Sequence, residues 1–237
     1  MSEIVLVRDI NISSTGPVNK KGQPIHLQQG SLDGACGPYS LFMALTICGA
    51  VKDKEHQVLL SADPVRKNSA TGKAFFHMKE LATGGGSLLF RDGVSIPSLK
   101  EVADKAYKKS IVTYYEPAKR NRKNSEEFNK NGYYSTANVK DFILKEVSQV
   151  KNNPVILWLS YNPGGHAVVV VGVEFNNRDK NKAVRLFLLD PGVPTPKYSA
   201  WNSVIEISPR KEKHLCWDEL GSREVTFLGA LAIRGKE

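Results

Sequence analysis

From Ala167 to Val173 the chain reads Ala-Val-Val-Val-Val-Gly-Val, an apolar run with almost no residue that is not β-branched. Such side chains crowd a helix and suit a pleated strand. The run therefore predicts a buried strand. Four more runs of the same character follow or precede it: Val155 to Leu159, Val184 to Leu189, Val204 to Ile207 and Val225 to Ile233. Between the strands at Ala167 and Val184 lies Asn176-Asn177-Arg178-Asp179-Lys180-Asn181, which reads as a polar hairpin tip. The last third of the chain is thus expected to be an antiparallel sheet.

The part before it has another pattern. Ile4 to Val7 reads as a short strand, and residues 10 to 35 read as loops around an extended piece, Pro24 to Leu27. Pro38 to Ile47 predicts an apolar helix stopped near Gly49, with Pro38 in the first turn, where its missing N–H is no loss. Leu41, Leu45 and Cys48 share one face at helical spacing, so that helix should be buried. Roughly 51 to 150 reads as a polar, helix-rich middle. Ser98 to Lys108 and Asn138 to Val150 are periodic, the second with a stripe of Val139, Phe142, Ile143, Val147 and Val150. Thr83 to Ser87 reads as a loop and 116 to 136 as a long exposed connection. Helices first and strands afterwards argue α+β. The expected layout is one domain over 1–237, helix-rich over about 36–150 and sheet over about 154–234.

With 237 residues, 41% of them hydrophobic and 24% charged, the chain can build a sizeable core and is not of the disordered class. Its apolar runs fall far short of the roughly 20 residues a spanning helix needs, so no membrane span is expected. Ile4 to Val7 has no basic flank before it and no cleavage site after it. The expectation is a cytoplasmic protein, or an effector-like one exported without a cleaved signal. The formal net charge is +9, but the basic residues are scattered. Their one cluster, Lys119, Arg120, Arg122 and Lys123, reads as a solvated loop, and no nucleic-acid partner is expected.

Three cysteines, Cys36, Cys48 and Cys216, are too few and too odd in number for a disulfide framework, and no two have zinc-clip spacing. No metal or other cofactor is expected. Each cysteine is then a small buried hydrophobe or a reactive thiolate. Cys48 lies in the apolar stripe of its helix. Cys36, in Asp33-Gly34-Ala35-Cys36-Gly37-Pro38, stands just before that helix between small neighbours. Free N–H groups and the helix dipole favour an anion there.

Far downstream, Pro163-Gly164-Gly165-His166 opens the Val-rich strand, and the next strand ends in Leu188-Leu189-Asp190-Pro191-Gly192. If the two pair through the polar tip, Asp190 returns to the end where His166 begins. An acid beside an imidazole would orient it and stabilise its charged form, completing a Cys-His-Asp triad.

The block from Gln28-Gln29 through Cys36-Gly37-Pro38-Tyr39-Ser40-Leu41-Phe42-Met43-Ala44-Leu45 to Gly49 resembles the nucleophile helix of papain-like cysteine peptidases. His166 to Val173, followed by Asp190-Pro191, is similar to the histidine strand and Asp-Pro motif of the branch that removes double-glycine leaders from bacteriocins. The resemblance covers those two blocks only. It implies a nucleophile helix packed on an antiparallel sheet, with protein or peptide substrates in the cleft between them. Cys36 would be the nucleophile, His166 the general base and acid, and Asp190 the orienting residue. It also implies an oxyanion glutamine six residues before the cysteine, where this chain has Gly30. A one-residue insertion would bring in Gln29, and a two-residue insertion Gln28. The same triad serves side-chain deamidases, transglutaminases and peptidoglycan amidases, and the fold also occurs as a silent interaction domain.

Other motifs carry less. Thr71-Gly72-Lys73 lacks the rest of a phosphate loop. His26, His56 and His77 stand in polar or mixed segments and read as exposed. His214 and Cys216, beside Trp217 and Asp218, read as an ordinary strand or turn.

Overall fold

The computed structural model describes residues 2–29, 36–53, 55, 69–74, 94–120, 134–161, 164–176, 179–208 and 213–236. The Thr83–Ser87 loop, His56, His77, Arg122, Lys123 and the residues just before Cys36 lie outside these.

The chain starts with β1 (Glu3–Leu6) and a small hairpin of β2 (Ile10–Ser13) and β3 (Gly16–Asn19). Helix α1 (Cys36–Ile47) follows, then α2 (Ile96–Tyr107), β4 (Ile111–Pro117), the two-residue strands β5 (Lys119–Arg120) and β6 (Tyr134–Ser135), and α3 (Ala137–Val147). Six further strands complete the chain: β7 (Val155–Tyr161), β8 (Gly164–Asn176), β9 (Asp179–Leu189), β10 (Ser203–Glu206), β11 (His214–Asp218) and β12 (Gly221–Gly235). The architecture is mixed α and β, with an antiparallel, sheet-rich C-terminal part.

Two features go beyond the expectation of a helical middle followed by an antiparallel sheet. The middle is not wholly helical, because Ile111–Pro117 is a strand that pairs with β12, from Ile111↔Gly235 to Pro117↔Gly229. Its composition, Ile-Val-Thr-Tyr-Tyr, is that of a strand. The sheet is also closed. Its order runs β8-β7-β12-β11-β10-β9, and β9 pairs back onto β8, so these six strands form a barrel. β8 and β12 are long enough to serve two neighbours along one edge: β8 takes β7 and then β1, and β12 takes β11 and then β4. Closure removes the unpaired edges that an open sheet would present.

Closure explains the unbroken Val run. Val168, Val169, Val170 and Val171 are fully buried, as are Val155, Ile156 and Leu157 on β7. One face of these strands is covered by the barrel and the other by helices, since α1 packs on β8 and β7 and α3 on β8, β7 and β12. Gly172 marks the tightest approach. A Cβ there would lie 2.4 Å from Leu6 Cδ2 and 3.1 Å from the Val5 carbonyl oxygen, so any side chain would force Leu6 and β1 to shift. The β8–β9 register shifts between Val170 and Gly172, which bends the pair at the same place.

The helices follow their sequences with small changes at the ends. Ser95 caps α2, its hydroxyl accepting the Ser98 N–H at 3.3 Å, and a proline stands in the first turn. α3 buries Val139, Ile143 and Val147, but it stops at Val147, so Val150 leaves the stripe and is 93% exposed. α1 is buried nearly all round, on faces well beyond that of Leu41 and Leu45. Such a helix is held by its surroundings, and its position is fixed accordingly.

Candidate active site

Cys36 is the first residue of α1, and the helix is seated on β8 by the Ser40 hydroxyl, which donates to the Ala167 carbonyl at 2.9 Å. That bond sets the start of α1 beside the start of β8. His166 lies there, opposite Leu159 in the β7–β8 register. β9 runs antiparallel to β8 and ends at Leu189, opposite Val169, so the next residue, Asp190, emerges at the same end of the barrel.

The structure brings Cys36, His166 and Asp190 into one hydrogen-bonded relay. His166 Nε2 is 2.6 Å from Asp190 Oδ1. The Cys36 thiol is close enough to the same imidazole for each to shift the other through hydrogen bonding and charge. The Asp190 carboxylate is nearly enclosed, its side chain 3% exposed, and accepts the Gly192 N–H at 2.7 Å. Gly192 gives room for this: a Cβ there would stand 3.1 Å from Asp190 Oδ1 and 3.5 Å from His166 Cε1.

The electrostatics follow from these contacts. Burial pushes the Cys36 thiol up, but the hydrogen bond and charge of His166, with backbone hydrogen bonds from Ala167 and Gly37, hold it below its ordinary value. Gly37 is in the first helical turn, where such donors are free. Burial alone would lower His166, yet the hydrogen bonds and charges of Asp190 and Cys36 raise it. Burial would raise Asp190, but His166, the Gly192 N–H and the charge of Arg223 keep it low. The three groups favour one state together: thiolate, imidazolium, carboxylate. The other thiols differ. Burial pushes both Cys48 and Cys216 up to about 12.

The two glutamines differ in setting. Gln28 is exposed, whereas Gln29 is half-buried and its backbone N–H donates to the Pro191 carbonyl at 2.9 Å, beside Asp190. Gln29 Oε1 is buried and has no hydrogen-bond partner among the described residues.

Among the histidines, one expectation is corrected. His26 is not exposed; it is 5% exposed and hydrogen-bonded to the main chain of Asp190 and to Thr195. Its polar neighbourhood in sequence gave no sign of this, because its partners are more than 160 residues away. Asn202, which binds both the N–H and the carbonyl of Asp190, was likewise invisible in the sequence. Arg223 forms an ion pair with Asp218 and lies over the Tyr161 ring at 5.2 Å from its centroid.

The remaining motifs are structural. Thr71 is buried in a helical stretch with its hydroxyl 2.8 Å from Tyr107 Oη, so no phosphate loop forms there. His214 is in β11, its Nδ1 accepting the Ser208 N–H at 3.1 Å. Among the described residues, no group of three or more His, Cys, Asp or Glu side chains is placed to hold a metal ion. No helix among them is long and apolar enough to cross a membrane.

No protein-family model matches the chain, and no curated protein does. A crystal structure of UfSP from C. elegans is similar at 11% identity and a TM-score of 0.47, over 100% of this chain. The chain spans 35% of the length of that protein. A likeness this distant carries no functional argument, which rests on the geometry above.

Proposed function

We propose that the protein is a thiol hydrolase, a cysteine peptidase of papain-like type formed by the whole of 1–237 as one domain. The observation that carries this reading is the relay itself: the one thiol held below its ordinary value is bonded to an imidazole whose far nitrogen meets a buried carboxylate. Cys36 thiolate attacks the substrate carbonyl carbon, and the carbonyl electrons move onto oxygen. Gln29 and the Cys36 N–H hold that oxyanion. As the tetrahedral intermediate collapses, the C–N bond breaks and His166 gives a proton to the leaving amine. A water molecule then loses a proton to His166 and attacks the thioester, releasing the acid and restoring the thiolate. Asp190 keeps the imidazole aligned and stabilises its charge throughout, without taking the proton. The assignment to the double-glycine branch rests on the two sequence blocks.

The test is to incubate wild type and Cys36→Ala with a proteome and read new N-termini by mass spectrometry. The expected result is a set of new termini made by wild type only. Side-chain mass shifts without new termini would replace the peptidase with a deamidase or transglutaminase, and equal results from both proteins would end the hydrolase reading.

A further inference from the structure

Asp190 is the first residue beyond β9, so the sheet ladder no longer fixes its main chain. Two side chains do so instead, through three hydrogen bonds. Asn202 Oδ1 accepts the Asp190 N–H at 2.7 Å, and Asn202 Nδ2 donates to the Asp190 carbonyl at 2.9 Å. Asn202 is itself tied to β9, since its N–H donates to the Leu188 carbonyl at 3.0 Å. From the other side of the corner comes His26, with Nε2 at 2.8 Å from the same Asp190 carbonyl. A carbonyl oxygen only accepts, so Nε2 carries the hydrogen. Nδ1 is then an acceptor, and it takes the Thr195 hydroxyl proton at 2.9 Å. Burial holds His26 below the ordinary imidazole value, against the opposing pull of Asp190, which keeps the ring neutral and this tautomer in place.

The histidine is well anchored. Its neighbours Ile25 and Leu27 are in the core, the Ile25 N–H donates to the Pro17 carbonyl at 2.9 Å, and Gln29 bonds to Pro191 three residues further on. The extended piece 25–29 is therefore stitched to 190–195 at two points. The carboxylate that this corner holds is that of Asp190, whose Oδ1 must stand within hydrogen-bond reach of His166 to orient it. An angstrom of misplacement there would be enough to lose the alignment.

We infer that His26, locked by Thr195 and acting with Asn202, is a positioning residue that fixes the main chain of Asp190 so that its carboxylate meets His166. The inference rests on the triad reading above. It predicts an effect on Cys36 that passes through Asp190 and His166, with no contact between His26 and the sulfur.

The experiment follows Cys36 alkylation by iodoacetamide as a function of pH in the full-length protein, with folding checked by near-UV circular dichroism. His26→Phe keeps a ring and removes the donor. At mildly acidic pH it should slow alkylation by about tenfold, the usual loss when an outer-shell partner that orients a reacting group is removed. The profile should move the same way as in Asp190→Asn, toward higher pH. His26→Gln, which retains an amide donor for the Asp190 carbonyl, should restore most of the rate. In Asp190→Asn, adding His26→Phe should cost little more, because both act on one contact. A wild-type profile in folded His26→Phe, no recovery with Gln, or a loss that adds in full to that of Asp190→Asn would each overturn the inference. If His26→Phe does not fold, Thr195→Val decides: it frees Nδ1 at a half-buried position and should shift the profile in the same direction, and an unshifted profile overturns the inference. An unshifted profile in Asp190→Asn would instead overturn the triad reading on which the inference stands.

Discussion

Three identical thiols in one chain become two kinds of group through their surroundings. Cys48 and Cys216 are set by burial, which holds them neutral. Cys36 is half-buried, but its imidazole partner and the backbone donors of Ala167 and Gly37 outweigh that cost. The helix start at Cys36 is legible in sequence because it depends on near neighbours, a proline and an apolar helix, whereas its partner His166 comes from a distant strand. The setting of His26 and Asn202 is not legible there, since each depends on Asp190, to which no local pattern connects them. Gln29 lies between these cases. Sequence spacing leaves Gln28 and Gln29 open, and the structure separates them by burial. The Gln29 amide oxygen is an acceptor and cannot itself hold an oxyanion, so the donor in this role is the Gln29 Nε2 group. On a peptide found in the proteome experiment, Gln29→Ala should lower turnover by about 100- to 1000-fold, the loss of one oxyanion donor. It should leave Cys36 alkylation almost unchanged, because alkylation forms no oxyanion, and Gln28→Ala should alter neither. The opposite pattern would move the role to Gln28. Undiminished turnover in both variants would remove glutamine from the mechanism.

At the scale of elements, composition identifies most strands but not their neighbours. The runs at Val155, Ala167, Val184 and Val225 lie within strands of the sheet, and the run at Val204 overlaps β10 but ends one residue beyond it, at Ile207. β4 lay hidden in a polar middle read as helical, because helical patterns on both sides of it dominate the window. Closure was hidden for another reason. β9 returns to β8 across a register shift between Val170 and Gly172, and β1 packs on β8 at the same place, where Gly172 lets it approach; neither follows from composition. Gly172→Ala therefore should destabilise the fold by about 1–3 kcal/mol, the range for overpacking, read as a lower urea midpoint with unchanged slope. Most of the clash is with the Leu6 side chain, so adding Leu6→Ala should cost less in the Gly172→Ala protein than in wild type. Equal costs in the two backgrounds would show that β1 does not press on β8 at this point.

For the molecule as a whole, the relay joins residues 36, 166 and 190, and only the folded barrel with α1 seated on β8 brings them together. The unfolded chain has no such arrangement, and its three thiols should react alike. In the native protein the sign of the difference is fixed. Cys36 is lowered, so its thiolate persists as pH falls below the ordinary thiol range; His166 is raised, so the imidazolium persists as pH climbs through the ordinary histidine range. Between those limits the ion pair is the populated form, and the two apparent values belong to the pair. The most direct measurement is brief iodoacetamide labelling of the three cysteines at mildly acidic pH, native and in urea, with sites read by mass spectrometry. The account predicts that Cys36 is modified well ahead of Cys48 and Cys216 in the native protein, and that the lead disappears in urea and in His166→Ala. Native protein in which Cys216 reacts first, or in which Cys36 keeps its lead without His166, would contradict it.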